Sequence, residues 1–144
     1  MKPFIHLHVH SPFSFLDGAS PLEALINRAA QLEMPALALT DHDNLHGAVQ
    51  FQQLAQKAGI KPILGVEMTL EGDYHLTLLA QGPAGYATLC TLLTKAHLAH
   101  PRGQPRLKEE LLWEHNRGLI CLSGCRQGLI PRLIMEGNFQ EAYR

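Results

Sequence analysis

Charge of one sign is what this 144-residue chain lacks most plainly, since twelve Lys and Arg against thirteen Asp and Glu leave a formal net charge of −1. Without a basic excess it has no electrostatic footprint for nucleic acid or an anionic membrane, so this segment is not expected to be the main grip on either. Cysteine is sparse too: Cys90, Cys121 and Cys125 make neither an even set nor a closely spaced framework. With no signal-peptide pattern ahead of them, they fit an intracellular, reducing location. No apolar run approaches the length needed to span a bilayer. Aromatic residues are only 6% of the chain, yet an apolar content of 46% is ample for the core of a single domain or part of one. Histidine is plentiful instead, with nine copies, three of them at alternate positions in His6-Leu7-His8-Val9-His10.

Side chains at i, i+2 and i+4 of a strand share a face, and Phe4, Ile5, Leu7 and Val9 are β-prone filling, so this stretch is expected to be a first strand. Ser20-Pro21-Leu22-Glu23 reads as a capping box with proline at the first helical position, opening a helix that runs to about Glu33. Ala36 to Thr40 reads as a short buried strand, Asp41 to His46 as a polar loop, and Gly47 to Ala58 as a helix closed by Gly59. Pro62 to Val66 is the next strand, and a Glu71-Gly72-Asp73 turn leads back through Tyr74 to Ala80. A helix follows Gly85, and His100 to Arg106 reads as a surface linker. Leu107 to His115 reads as a short helix, Gly118 to Ser123 as a buried strand and Leu129 to Glu136 as a helix. Another helix starts at Asn138, and the chain stops inside it, so it reads as truncated. Strands alternating with helices imply an α/β fold with βαβ units and a parallel sheet or barrel, whose functional groups gather at the carboxyl ends of the strands.

Potential ligands fall at those ends. The first strand offers His8 and His10, with Asp17 in the next loop. The second offers Asp41 and His42, the third Glu67, and the last Cys125. His75 lies near the start of its strand, which is expected to run differently. Any one of these histidines alone reads as an ordinary surface or core residue; Asp17 beside Gly18 can simply shape a turn, and Cys125 can be buried filling. Their joint occurrence at successive strand ends is what favours a site. Imidazole, carboxylate and thiolate donors together suit zinc or manganese better than calcium or magnesium. Two or three such ions at one rim would polarise a phosphoryl oxygen and acidify a bound water. His6 is expected one step below the ligands as support, and Asp41 is assigned a similar place. His46 is expected to help cap the following helix, while His97, His100 and His115 are read as structural or solvated.

The stretches His6 to Ser11, Ser14 to Ala19, Ala36 to His42 and Gly59 to Glu67 resemble the polymerase and histidinol phosphatase (PHP) domain, in particular the one at the amino terminus of bacterial DNA polymerase III alpha subunits. His75 to Ala80, Gly85-Tyr86 with Leu89-Cys90, and Gly118 to Cys125 carry the likeness over essentially the whole chain. Phe13 to Ser20, Thr40 to Asp43, Ser123 to Arg126 and the short turn between Glu67 and His75 look most like the error-prone, translesion branch.

The resemblance implies the amino-terminal part of a distorted seven-stranded (β/α) PHP barrel over residues 1–144, with the remaining barrel and the polymerase domains beyond residue 144. Its divalent metals, two or three of zinc, manganese or iron, would be held by His8, His10, Asp17, His42, Glu67, His75 and Cys125, with no catalytic residue separate from these ligands. Asp17 and Cys125 stand where stand-alone phosphatases of the family usually carry histidine. A late Asp-x-His pair of ligands is not in this sequence. The implied function is that of a metal-dependent phosphodiesterase segment, 3′-to-5′ exonuclease-like, within a bacterial, cytoplasmic DNA-directed DNA polymerase. DNA, a sliding clamp and other replication or translesion factors would be reached through other domains, and no membrane is involved. A stand-alone PHP phosphoesterase and a non-catalytic PHP scaffold are the alternatives.

Overall fold

The computed structural model describes residues 4–143. Along them lie α1 (Leu22–Gln31), β1 (Ala36–Leu39), α2 (Ala48–Lys57), β2 (Lys61–Leu70), β3 (Tyr74–Ala80), α3 (Gly82–Ala99), α4 (Glu109–Glu114), β4 (Leu119–Leu122), α5 (Leu129–Met135) and α6 (Phe139–Tyr143). The strands neighbour one another in the order β1-β2-β3-β4. The chain forms two compact units, Met1–Val66 and Glu67–Arg144. Among the described residues no helix is long and apolar enough to cross a membrane.

In the first unit β1 pairs in parallel with β2, Ala36 opposite Lys61 and Leu39 opposite Leu64. All four β1 residues are buried, as a four-residue apolar run between a proline and a polar loop predicts. Leu22, Ile26 and Ala29 of α1 recur at helical spacing and meet Leu37 and Leu39 of β1, Phe51 and Ala55 of α2, and Ile60 in one core. The expected capping box does not form. Pro21 occupies the N-cap position without a side-chain cap, and the Glu23 carboxylate instead accepts a hydrogen bond from Gln50 of α2 at 3.0 Å. Nor does His46 cap α2, which has no side-chain cap; its N–H donates to Asn44 and its ring lies edge-on to Phe13. Gly59 takes the left-handed conformation that ends α2, φ +72°.

Residues 4–10, expected to be a strand, are not a regular one. They lie along β1 with an extra residue: Ala38 N–H donates to His6 and Thr40 N–H donates to Val9, so three steps of the segment oppose two of β1, as in a β-bulge. The Thr40 hydroxyl takes up the displaced Val9 N–H at 2.9 Å. The chain bends at Leu7 and His8. The simple alternation that would set His6, His8 and His10 on one face is lost there.

In the second unit β3 pairs antiparallel with β4, Thr77 opposite Leu122 and Ala80 opposite Leu119. This pair is therefore antiparallel, where strands alternating with helices implied a parallel sheet. The three-residue turn between β2 and β3 reverses the chain without a crossover helix: Gly72 and Asp73 both adopt positive φ, and Asp73 N–H bonds back to Leu70. β4 was expected to be buried, but Ile120 and Cys121 are exposed. α3 begins earlier than expected, at Gly82, because Pro83 sits in its first turn, where no N–H is needed. Its Leu89, Leu92, Leu93 and Ala96 form the buried face.

Candidate metal centre

In the first unit the loop after the bulged segment folds back on itself. Ser14 N–H donates to Ser11 C=O, and the N–H groups of Asp17 and Gly18 donate to Ser14 C=O, at 2.9–3.1 Å. A side chain at residue 18 would overlap the Ser11 carbonyl, so only glycine lets the loop close this tightly. Leu16 sits fully exposed at its tip with φ +68°, a strained conformation for a residue with a Cβ.

That loop and the one after β1 bring four of the expected residues together. His8 Nε2 and His10 Nε2 are 3.0 Å apart. The His10 and His42 rings stack with centroids 4.4 Å apart at 22°. Asp17 Oδ2 lies 3.1 Å from His42 Nε2 and 3.8 Å from His10 Nε2. One donor atom from each of His10, Asp17 and His42 falls within 4.8 Å of the others, a grouping that could hold a metal ion. Two imidazoles and a carboxylate are the donor set of a first-row divalent site, so the residues present fit such an ion.

Beneath these residues lies a buried polar network. The Asp41 carboxylate, 1% exposed, accepts from Ser11 N–H at 2.7 Å, from the Ser11 hydroxyl at 2.7 Å and from the Ser14 hydroxyl at 2.6 Å. Ser14 Oγ lies 2.9 Å from His10 Nδ1 and accepts the His42 N–H at 3.1 Å. Ser11 and Ser14 were not singled out from the sequence. Short hydroxyl residues in a tight loop look like turn formers, and only their complete burial marks them out. His6, expected below the ligands, is instead exposed with its ring edge-on to Phe4 at 4.7 Å, because the bulge turns it away.

The second unit holds Glu67, His75 and Cys125. Glu67 was expected just past a strand end; it lies inside β2, 1% exposed. His75, second residue of β3, places Nδ1 3.3 Å from Glu67 Oε1 and 3.6 Å from Cys125 Sγ. Its N–H donates to the Gln127 carbonyl, which ties β3 to the Cys125 turn. Burial pushes the Cys125 thiol up from its ordinary value and the Glu67 carboxylate adds to the rise, against the lowering effect of the Gln127 N–H.

The PHP domain family model matches residues 6–144. An error-prone DNA polymerase of Symbiobacterium thermophilum is 57% identical over 96% of this chain, and a DNA polymerase III subunit alpha of Treponema pallidum is 42% identical over 96%. The chain spans 14% and 13% of their lengths. Among solved structures, an amidohydrolase of Chromobacterium violaceum is 35% identical, with a TM-score of 0.55 over 66% of this chain and 34% of that one. A protein of Bifidobacterium adolescentis described as a metal-dependent phosphoesterase matches with a TM-score of 0.55 over 69% of this chain and 35% of that one; at 22% identity it speaks to the fold alone.

Proposed function

The chain belongs to the PHP family, and we propose that it is the metal-binding PHP segment of an alpha-type bacterial DNA polymerase of the error-prone kind, acting on phosphodiesters. The observation that carries this reading is the convergence of His10, Asp17 and His42 on one point above a buried network that holds two of them in place. The similarity of almost the whole chain to the amino-acid sequences of far longer polymerases supports the polymerase context.

The proposed metal ligands are His8, His10, Asp17, His42, Glu67, His75 and Cys125, and zinc, manganese and iron suit that mixture of donors. When bound, such ions supply Lewis acidity toward a phosphoryl oxygen and toward water. The protein's part is to aim its donors before substrate arrives. The Ser14 hydroxyl and the Asp41 carboxylate hold the His10 ring and the His42 backbone, and the closed 11–18 loop carries Asp17 to both imidazoles. In this reading DNA is the substrate, and the polymerase domains, the clamp and other replication or translesion partners belong to the rest of a cytoplasmic enzyme.

Two measurements on the protein carrying the complete barrel test the proposal: elemental analysis after supplementation with zinc, manganese or iron, and hydrolysis of single-stranded DNA from its 3′ end. Bound metal and hydrolysis are expected in the natural sequence, and both should fall in the paired variant His8→Ala, His42→Ala. Absence of metal with both histidines intact would overturn the reading. Metal without hydrolysis would point to a structural role for the site.

A further inference from the structure

We propose that Ser14 is a positioning residue that fixes His10 as the tautomer protonated at Nδ1, which puts the lone pair of the ring on Nε2, the atom that would face a divalent cation. The assignment follows from counting the protons and lone pairs on one oxygen. A serine hydroxyl has one proton to give and two lone pairs. Ser14 Oγ has three partners within hydrogen-bonding distance: Asp41 Oδ1 at 2.6 Å, the His42 N–H at 3.1 Å and His10 Nδ1 at 2.9 Å. A backbone N–H can only donate, so His42 takes one lone pair. The Asp41 carboxylate can only accept, and Ser11 already donates to both of its oxygens, so it takes the proton. One lone pair remains for His10. The bond closes only if Nδ1 carries hydrogen, and neutral imidazole then has its lone pair on Nε2.

Burial makes the count binding. Ser14 and Ser11 are fully buried and Asp41 nearly so, which keeps water from substituting for any partner. On the far side of the ring, Nε2 lies 3.0 Å from His8 Nε2 and 3.8 Å from Asp17 Oδ2, among the proposed ligands. The same hydroxyl anchors the His42 backbone, so one side chain sets the ring state of one ligand and the chain position of another. The arrangement is a carboxylate–histidine support with a hydroxyl inserted between the two groups. Loss of such a support typically lowers metal affinity by about 10–100-fold. The cation in this inference rests on the function proposed above, whereas the tautomer does not.

The test uses the full chain with ¹⁵N-labelled histidine, kept metal-free by chelator. Long-range ¹⁵N–¹H spectra distinguish a protonated ring nitrogen from an unprotonated one. His10 is expected to show a protonated Nδ1 and an unprotonated Nε2. In Ser14→Ala the ring is expected to shift toward the Nε2–H form, and zinc affinity, read by chelator competition, to fall about 10–100-fold. Ser14→Thr keeps the hydroxyl and should restore both readouts. An Nε2–H tautomer in the natural sequence overturns the proposal whether or not any variant folds. So does a folded Ser14→Ala chain with unchanged tautomer and zinc affinity. An Nδ1–H tautomer in a chain that binds no zinc, manganese or iron supports the Ser14 assignment and overturns the proposed function instead.

Discussion

Replacing Asp41 by alanine is the most direct probe of the buried network. The substitution removes the acceptor for three donors: the Ser11 N–H, the Ser11 hydroxyl and the Ser14 hydroxyl. Hydrogen bonds to a charged acceptor contribute about 1.5–3 kcal/mol each, so three set a ceiling near 9 kcal/mol. The net loss is smaller, because deleting the carboxylate also removes its own desolvation cost and the hydroxyl protons can rotate. The Ser11 N–H cannot rotate, and in a fully buried residue it stays unsatisfied. A loss of about 3–5 kcal/mol is therefore expected, a large share of the 5–15 kcal/mol typical of a whole domain. Asp41→Asn keeps the volume and one acceptor oxygen, and the Ser11 hydroxyl can reverse to accept from the new amide, so about 1–2 kcal/mol is expected. Urea unfolding followed by circular dichroism, with chelator present, measures both. The reasoning is refuted if alanine costs less than about 1 kcal/mol or if asparagine costs as much as alanine.

Phe51→Ala empties the centre of the first unit's core, where the ring is fully buried; a loss of about 3–5 kcal/mol in urea unfolding is expected, and one below about 1 kcal/mol would mean the core is not built as described. Gly18→Ala forces a Cβ onto the Ser11 carbonyl, so a stability loss of about 1–3 kcal/mol should come with weaker zinc binding; unchanged zinc binding would separate the loop from the site. Partial desolvation raises the thiols of Cys121, though its residue is exposed, and of Cys125 above their ordinary 9.0, with Glu67 adding to the rise at Cys125. The unfolded chain therefore sheds these protons first, and stability that is complete below pH 9 is lost as pH climbs past it. The urea midpoint of the reduced, metal-free chain should drop above pH 9, and less so in a Cys121→Ala, Cys125→Ala variant; identical slopes would contradict the thiol assignment.

The sequence by itself determined where regular structure could form when the cause was local. Ala36 to Leu39 is a buried strand because an apolar run between Pro35 and a polar loop has few other options. α2 ends near Gly59 because glycine alone adopts the left-handed turn there without cost. The alternating histidines, and carboxylates near strands, were equally visible as a pattern of donors.

Tertiary structure decided whatever depended on a partner distant in sequence. Glu23 bonds to Gln50 rather than capping its own helix, since a side chain from another helix reaches it first. Residues 4–10 bulge because β1 offers two backbone groups to three residues and Thr40 can absorb the remainder. That bulge separates His6 from His8 and His10, which the spacing alone would have joined. Ser11 and Ser14 lie in stretches that carry the family likeness, but nothing in the sequence marks a supporting role for them. Their weight comes from burial beside Asp41, some thirty residues away, where every polar atom must find a partner and one hydroxyl proton leaves His10 a single way to close the network.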